Sequence, residues 1–177
     1  MYRFLLTVLT AVALAGCGSP TSVSGAPADV TFAQQMVPHH EQAVEMSRLA
    51  LDPERGASEP VRNLATRIEK AQQPEIDEMT GWLDGWGEDA SAHGSHGDGD
   101  HEMAGMMSDD QMSALEQATG TDFDRRWLQM MIEHHEGAVE MAETEIADGQ
   151  DSRAKALARA IVDAQRAEIT QMKELLR

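Results

Sequence analysis

The chain has 177 residues, 31 acidic against 14 basic side chains for a formal net charge of -17, 41% hydrophobic and 4% aromatic content, and one cysteine. A surface this acidic repels nucleic acid and anionic lipid head groups and attracts cations, so nucleic acid is excluded as a partner. A lone cysteine excludes an internal disulfide.

In chain order, MYRFLLTVLTAVALAGC places Arg3 before an apolar run from Phe4 to Ala15 that is short for a bilayer span. Residues 1–17 read as a signal peptide. Their ending, Leu14-Ala15-Gly16-Cys17, resembles the bacterial lipoprotein lipobox. That resemblance implies cleavage before Cys17, lipidation of its thiol, and an exported protein held in the cell envelope by a lipid anchor on the extracytoplasmic side of a membrane. Residues 18–28, small, polar and rich in Gly and Pro, read as a flexible tether. The remainder, 29–177, is long enough for one domain with a single core.

Thr31 to Gln34 has the form of a capping box for a first helix, Asp52-Pro53 stops it, and Pro60 suits the first turn of a second. Pro38 and Pro74 fall inside these helices, where each removes a hydrogen bond; the expectation is a pair of kinks that bow the first hairpin open. The crossover at 87–120 begins with a Gly-, His-, Asp- and Met-rich tract. Its His93, His96, His101, Met103, Met106 and Met107 have no evident core to fill and read as metal-capturing. Ser108 to Gln111 is a second capping box, opening a short helix that ends near Gly120. Thr121 or Asp122 caps the next helix, which runs to about Ala147 with Gly149 beyond it. The last helix carries Leu157, Ile161, Ala164, Glu168, Ile169, Met172 and Leu176 at mostly three- and four-residue spacing. No segment alternates like a strand. The fold class expected is all-α: a four-helix bundle made of hairpin one at about 30–86 and hairpin two at about 121–177.

The hairpins are copies. MVPHHEQAVEM, Met36 to Met46, matches MIEHHEGAVEM, Met131 to Met141, at an offset of 95, and AQQPEIDEMTGWL at 71–83 matches AQRAEITQMKELL at 164–176 at an offset of 93. With Met36 at zero, His39 falls at about 300°, His40 at about 40°, Ala43 at about 340° and Met46 at about 280° around the helix. Both imidazoles of each pair thus flank one apolar stripe, which also holds Trp127 in the second copy, and face the interior. Counted from the hairpin turns, His39 stands level with Gln72, and His134 and His135 with Gln165, with Glu168 a turn further. Since each pair lies mid-helix, the four imidazoles converge whether helices two and three run parallel or antiparallel.

Buried imidazoles need partners, because an unpaired buried polar group costs about 1–3 kcal/mol. One solution is a polar layer of His, Gln and Glu that fixes helix register. The other is a metal ion held by His39, His40, His134 and His135 with the thioethers of Met36, Met46, Met131 and Met141. Thioether sulfur suits Cu(I), and imidazole serves both copper oxidation states, so copper is the expected ion, as Cu(I) before Cu(II). Twelve methionines outnumber Phe, Tyr and Trp together, although Met79 and Met172 read as ordinary core filling.

The pattern from Phe123 to Ala142, preceded by Gly105-Met-Met-Ser108 and followed by A-Q-x-x-E-I-x-x-M, closely resembles domain-of-unknown-function family 305 from about Asp29 to the C-terminus. The resemblance implies a ferritin-like four-helix bundle and, from exported copper-binding members, the same role here, with the family's positions falling on the eight His and Met residues above. Pro38 and Gly137 depart from the pattern. Di-iron bundles need a Glu-x-x-His on two helices; this chain has none, which argues against a metal-dependent oxidoreductase, and with no serine placed for activation in a Ser/His/Asp arrangement no enzyme is expected. The combined expectation is a membrane-anchored metal-binding protein that buffers or chaperones copper for an undetermined delivery partner. The alternative is a non-metallated helical interaction module with a structural His layer.

Overall fold

The computed structural model describes residues 25–90 and 103–177. The signal peptide, Cys17 and most of the tether lie outside them, as do His93, His96 and His101. Among the described residues every regular element is helical: α1 (Pro27–Leu51), a 3-10 turn (Pro53–Arg55), α2 (Glu59–Trp86), α3 (Asp109–Gln117), α4 (Gly120–Asp148) and α5 (Ser152–Leu175). The all-α four-helix bundle is therefore the fold.

Local chemistry sets most helix ends. Ser108 Oγ accepts the Gln111 N–H while Gln111 Oε1 accepts the Ser108 N–H, the expected capping box of α3. Asp52 caps α1 and begins the 3-10 turn, and Pro60 lies in the first turn of α2. Two starts differ from expectation. Thr31 to Gln34 is helix interior, because Pro27, with its preset φ, already starts α1 behind Ala26; the last two tether residues are thus helical. On α4, Thr119 rather than Thr121 or Asp122 holds the N-cap position.

The prolines do not open the first hairpin. α1 and α2 continue through Pro38 and Pro74, and His39 and His40 are as fully buried as His134 and His135. Each proline frees one carbonyl, of Gln34 and of Lys70, and neither residue is buried, so water satisfies the lost bond.

α1 pairs with α2, α4 with α5, and α1 packs on α4. The α1–α4 pair is antiparallel. Met36 shares one apolar cluster with Ala138, Ala142 and Ile161, while Met46 shares another with Phe123, Trp127 and Met131. The His pairs fall between the two clusters. Trp127 Nε1–H donates to the Met46 carbonyl at 2.9 Å, pinning α4 to α1 on one side of them. At the far end, the buried Asp29 carboxylate accepts N–H groups from Gln150 (2.8 Å) and Asp151 (3.0 Å), joining the first turn of α1 to the α4–α5 turn.

Candidate metal centre

Helical spacing places His39 and His40 three and four residues after the buried Met36, and His134 and His135 likewise after Met131, so each pair lies on its helix's buried face. Antiparallel packing then brings the copies together. The rings of His39 and His134 lie 3.7 Å apart between centroids, tilted by 39°, and those of His134 and His135 lie 6.3 Å apart. All four side chains have no solvent exposure.

Each copy adds a glutamate from its partner helix. Glu75 Oε2 of α2 stands 2.8 Å from His40 Nε2, and Glu168 Oε2 of α5 stands 2.8 Å from His135 Nε2. One turn back, Gln72 and Gln165 are buried at the levels expected for them. Glu168 was legible in the sequence, Glu75 was not singled out, and the repeat offset of 93 relates the two. Because a carboxylate only accepts, Nε2 of His40 and of His135 carries the proton in these contacts, and Nδ1 is the ring nitrogen left without a partner. His39 Nε2–H donates to the Ala104 carbonyl at 3.1 Å, leaving its lone pair on Nδ1 as well. Nδ1 of His39, His40 and His135, both ring nitrogens of His134, both amide atoms of Gln72 and Oε1 of Gln165 are all buried without a hydrogen-bond partner.

Burial, and then the neighbouring His40, push His39 down to about 3. Burial, and then His39, hold His134 well below 6.5. Both rings are therefore neutral, the form in which imidazole binds a metal. Among the described residues no three His, Cys, Asp or Glu side chains are grouped to hold one ion. An ion taking imidazole nitrogens here needs donors of another kind, and thioethers border the layer on both sides. Met46 and Met131 flank the layer on one side and Met36 on the other, all three fully buried. Neutral nitrogen and sulfur donors suit a soft ion of low charge; a hard divalent ion prefers the carboxylates that Glu75 and Glu168 already give to histidines.

Met141 departs from the expectation that it joins the layer: unlike its counterpart Met46 it is half-buried and opens on a cleft of about 550 Å³ between α1 and α4, outside the sealed set of Met36, Met46 and Met131. Met103 lines the same cleft. Met106 is half-buried, and Met107 is 5% exposed, packed beside Met112 and Leu115. The expectation that the crossover methionines have no core to fill thus fails for Met107, because residues 103–107 already lie on the bundle ahead of Ser108.

That return forms a strap across the layer. Gln42 Nε2–H donates to the Met107 carbonyl (2.8 Å), and the Met107 N–H donates to Gln42 Oε1 (2.7 Å). Gly105, at φ +79°, lies against the α4 backbone at His134 and Gly137, and a Cβ on Gly137 would meet the Ala104 carbonyl oxygen at 1.9 Å. Gly137 therefore makes room for the strap, while Gln42, its counterpart in the first copy, fastens it. Pattern alone marked Gly137 only as a departure.

The DUF305 family model, described as a domain of unknown function, matches residues 29–176. No curated protein matches the chain. A DUF305 protein from Streptomyces coelicolor, a candidate secreted protein, is 36% identical, with a TM-score of 0.75 over 84% of this chain and 91% of that one. A DUF305 fragment from Deinococcus radiodurans is 33% identical at a TM-score of 0.75, covering 86% and 97%. CopM in its Cu(II)-bound form is 31% identical at a TM-score of 0.71, covering 84% and 95%, and CopM also has a Cu(I)-bound form. The matched span takes in both His pairs, the strap and all five helices almost to their ends, and the chain accordingly belongs to the DUF305 family.

Proposed function

We propose that this chain is a copper-binding protein of the cell envelope that buffers or chaperones the ion, without catalysis, from a lipid anchor at Cys17. The observation that carries it is the buried layer of four imidazoles whose Nδ1 atoms have no hydrogen-bond partner, between fully buried thioethers. Leaving so many polar atoms unpaired costs about 1–3 kcal/mol each. Coordination offsets that cost, and the burial of all four rings keeps those nitrogens from water. CopM's copper-bound forms support the choice of ion, and a secreted-type relative supports export.

A second reading has its own support. His40 and His135 each have a glutamate partner, and no three His, Cys, Asp or Glu donors among the described residues are grouped around one point. The layer then fixes helix register, and the acidic surface meets a cationic partner.

A competitive Cu(I) titration separates the readings. The chain is compared with a variant carrying Ala at 39, 40, 134 and 135 and with one lacking 91–102, with far-UV circular dichroism reporting helicity. Tight binding lost only in the folded Ala variant is expected. Binding lost only with the crossover residues makes the His layer structural, and no binding by the unaltered chain refutes the copper reading. Mass spectrometry of the mature N-terminus tests the anchor.

A further inference from the structure

We propose that the cleft between the first turns of α1 and the last turns of α4 is a transit site for a soft monovalent cation, held by the thioethers of Met103 and Met141 on its way under Ala104 to His39. The inference rests on the copper reading above and adds a second, outer site and a route.

Met141 repeats Met46 at an offset of 95, yet Met46 is sealed in the core while Met141 opens on the cleft. Equivalent positions of a duplicated frame have thus acquired different surroundings. Met103, at the start of the strap, lines the same cleft. Neither thioether is fully buried, so both are within reach of an incoming ion, as Met36, Met46 and Met131 are not. Glu140 and Asp148 line the cleft as well; on a chain of net charge -17 they raise the local concentration of cations. Selection falls to the sulfurs, which bind hard ions such as Mg²⁺ and Ca²⁺ poorly.

Ala104 links the cleft to the layer. It lines the cleft, and its carbonyl accepts the His39 Nε2–H. Shifting that one peptide uncovers His39 from the cleft side. The strap is fastened just beyond this point by Gln42 on Met107, so displacing the Ala104 peptide also loads those two bonds. Nε2 of His39 carries the proton given to Ala104, so the ion is taken by the Nδ1 lone pair on the other edge of the ring, and no proton has to leave.

The test is stopped-flow loading of the full chain under anaerobic conditions, with Cu(I) supplied from a weak chelator, beside the double variant Met103→Leu/Met141→Leu. Leucine keeps volume and removes sulfur. The expected result is loading slowed about tenfold or more, with the final affinity of the His layer within about twofold of the unaltered chain. An unchanged rate overturns the transit site. Affinity lost as far as in the His→Ala variant overturns it in another way, by making Met141 a ligand of the layer. Absence of uptake by the unaltered chain defeats the copper reading itself, and the transit site with it. Met103→Leu alone gives the same readout if the double variant loses helicity.

Discussion

A methyl group at position 137 tests the strap. In Gly137→Ala the new Cβ would stand 1.9 Å from the Ala104 oxygen, 2.4 Å from its carbonyl carbon and 2.9 Å from Gly105 Cα, where ordinary contact begins at 3.4 Å. All three neighbours are backbone, so no side chain can swing aside, and the strap must lift by about 1.5 Å to restore contact distance. Lifting puts at risk the 3.1 Å bond from His39 to Ala104 and the two bonds between Gln42 and Met107. Each is worth about 1 kcal/mol net, and a buried His39 N–H left unpaired adds to the loss. Alanine in a helix interior recovers about 1 kcal/mol over glycine. The balance is a loss of about 2–3 kcal/mol, or a Tm drop of about 5–10 °C for a domain of this size. The loss is local. Hydrogen exchange at the Met107 amide should quicken about thirtyfold, at about 1.4 kcal/mol per tenfold, while Trp127 and its bond to Met46 stay protected. Equal exchange at Met107 in both proteins would falsify the claim that Gly137 exists to seat the strap.

Acidification should unfold the metal-free protein by way of the layer. His39 and His134 stay neutral in the fold, whereas the unfolded chain protonates both below about 6.5, so stability present above that pH is lost progressively as pH falls toward 3. By pH 5 the His39 ring has cost about 2 kcal/mol, His134 acts in the same direction, and the urea midpoint should fall from pH 7.5 to 5.0; an unchanged midpoint means the rings are not held neutral. Glu145 works in the opposite direction. It is buried, and burial followed by the adjacent Asp29 raises it to about 8, so its folded form binds a proton that the unfolded chain has released, and stability falls as pH rises from 4.5 to 8. Glu145→Gln should therefore raise Tm by about 3 °C or more at pH 8 and hardly at all at pH 4.5. Thermal melts at both values check it, and an equal rise at each would show that the side chain carries no proton.

The helices and the inward face of the histidines were legible because periodicity and capping are local. Spacing alone put His39, His40, His134 and His135 on buried stripes, and counting from the turns found Gln72, Gln165 and Glu168. The relative direction of α1 and α4 was not legible, since a crossover of this length permits either sense; packing decided it, with Met36 beside Ala138 and Met46 beside Met131. The strap escaped for a related reason. A Gly- and Met-rich stretch looks the same whether solvated or laid on a helix, and only Gly137, Gln42 and the Ala104 carbonyl, brought together in space, tell the difference. Pro38 and Pro74 misled because a proline removes one hydrogen bond but need not open a helix whose freed carbonyl can reach water.

The junction of Asp29 with the α4–α5 turn gives the molecule a proximal and a distal end. Pro27 and Ala28, where the chain enters α1, line the cleft, while Leu175 and Leu176 stand at the opposite end beside Thr121 and Leu128. A surface that holds Cys17 thus lies nearer the cleft end than the C-terminus along the chain, with residues 18–26 between them. A probe fixed through Arg177 would therefore leave the cleft end free.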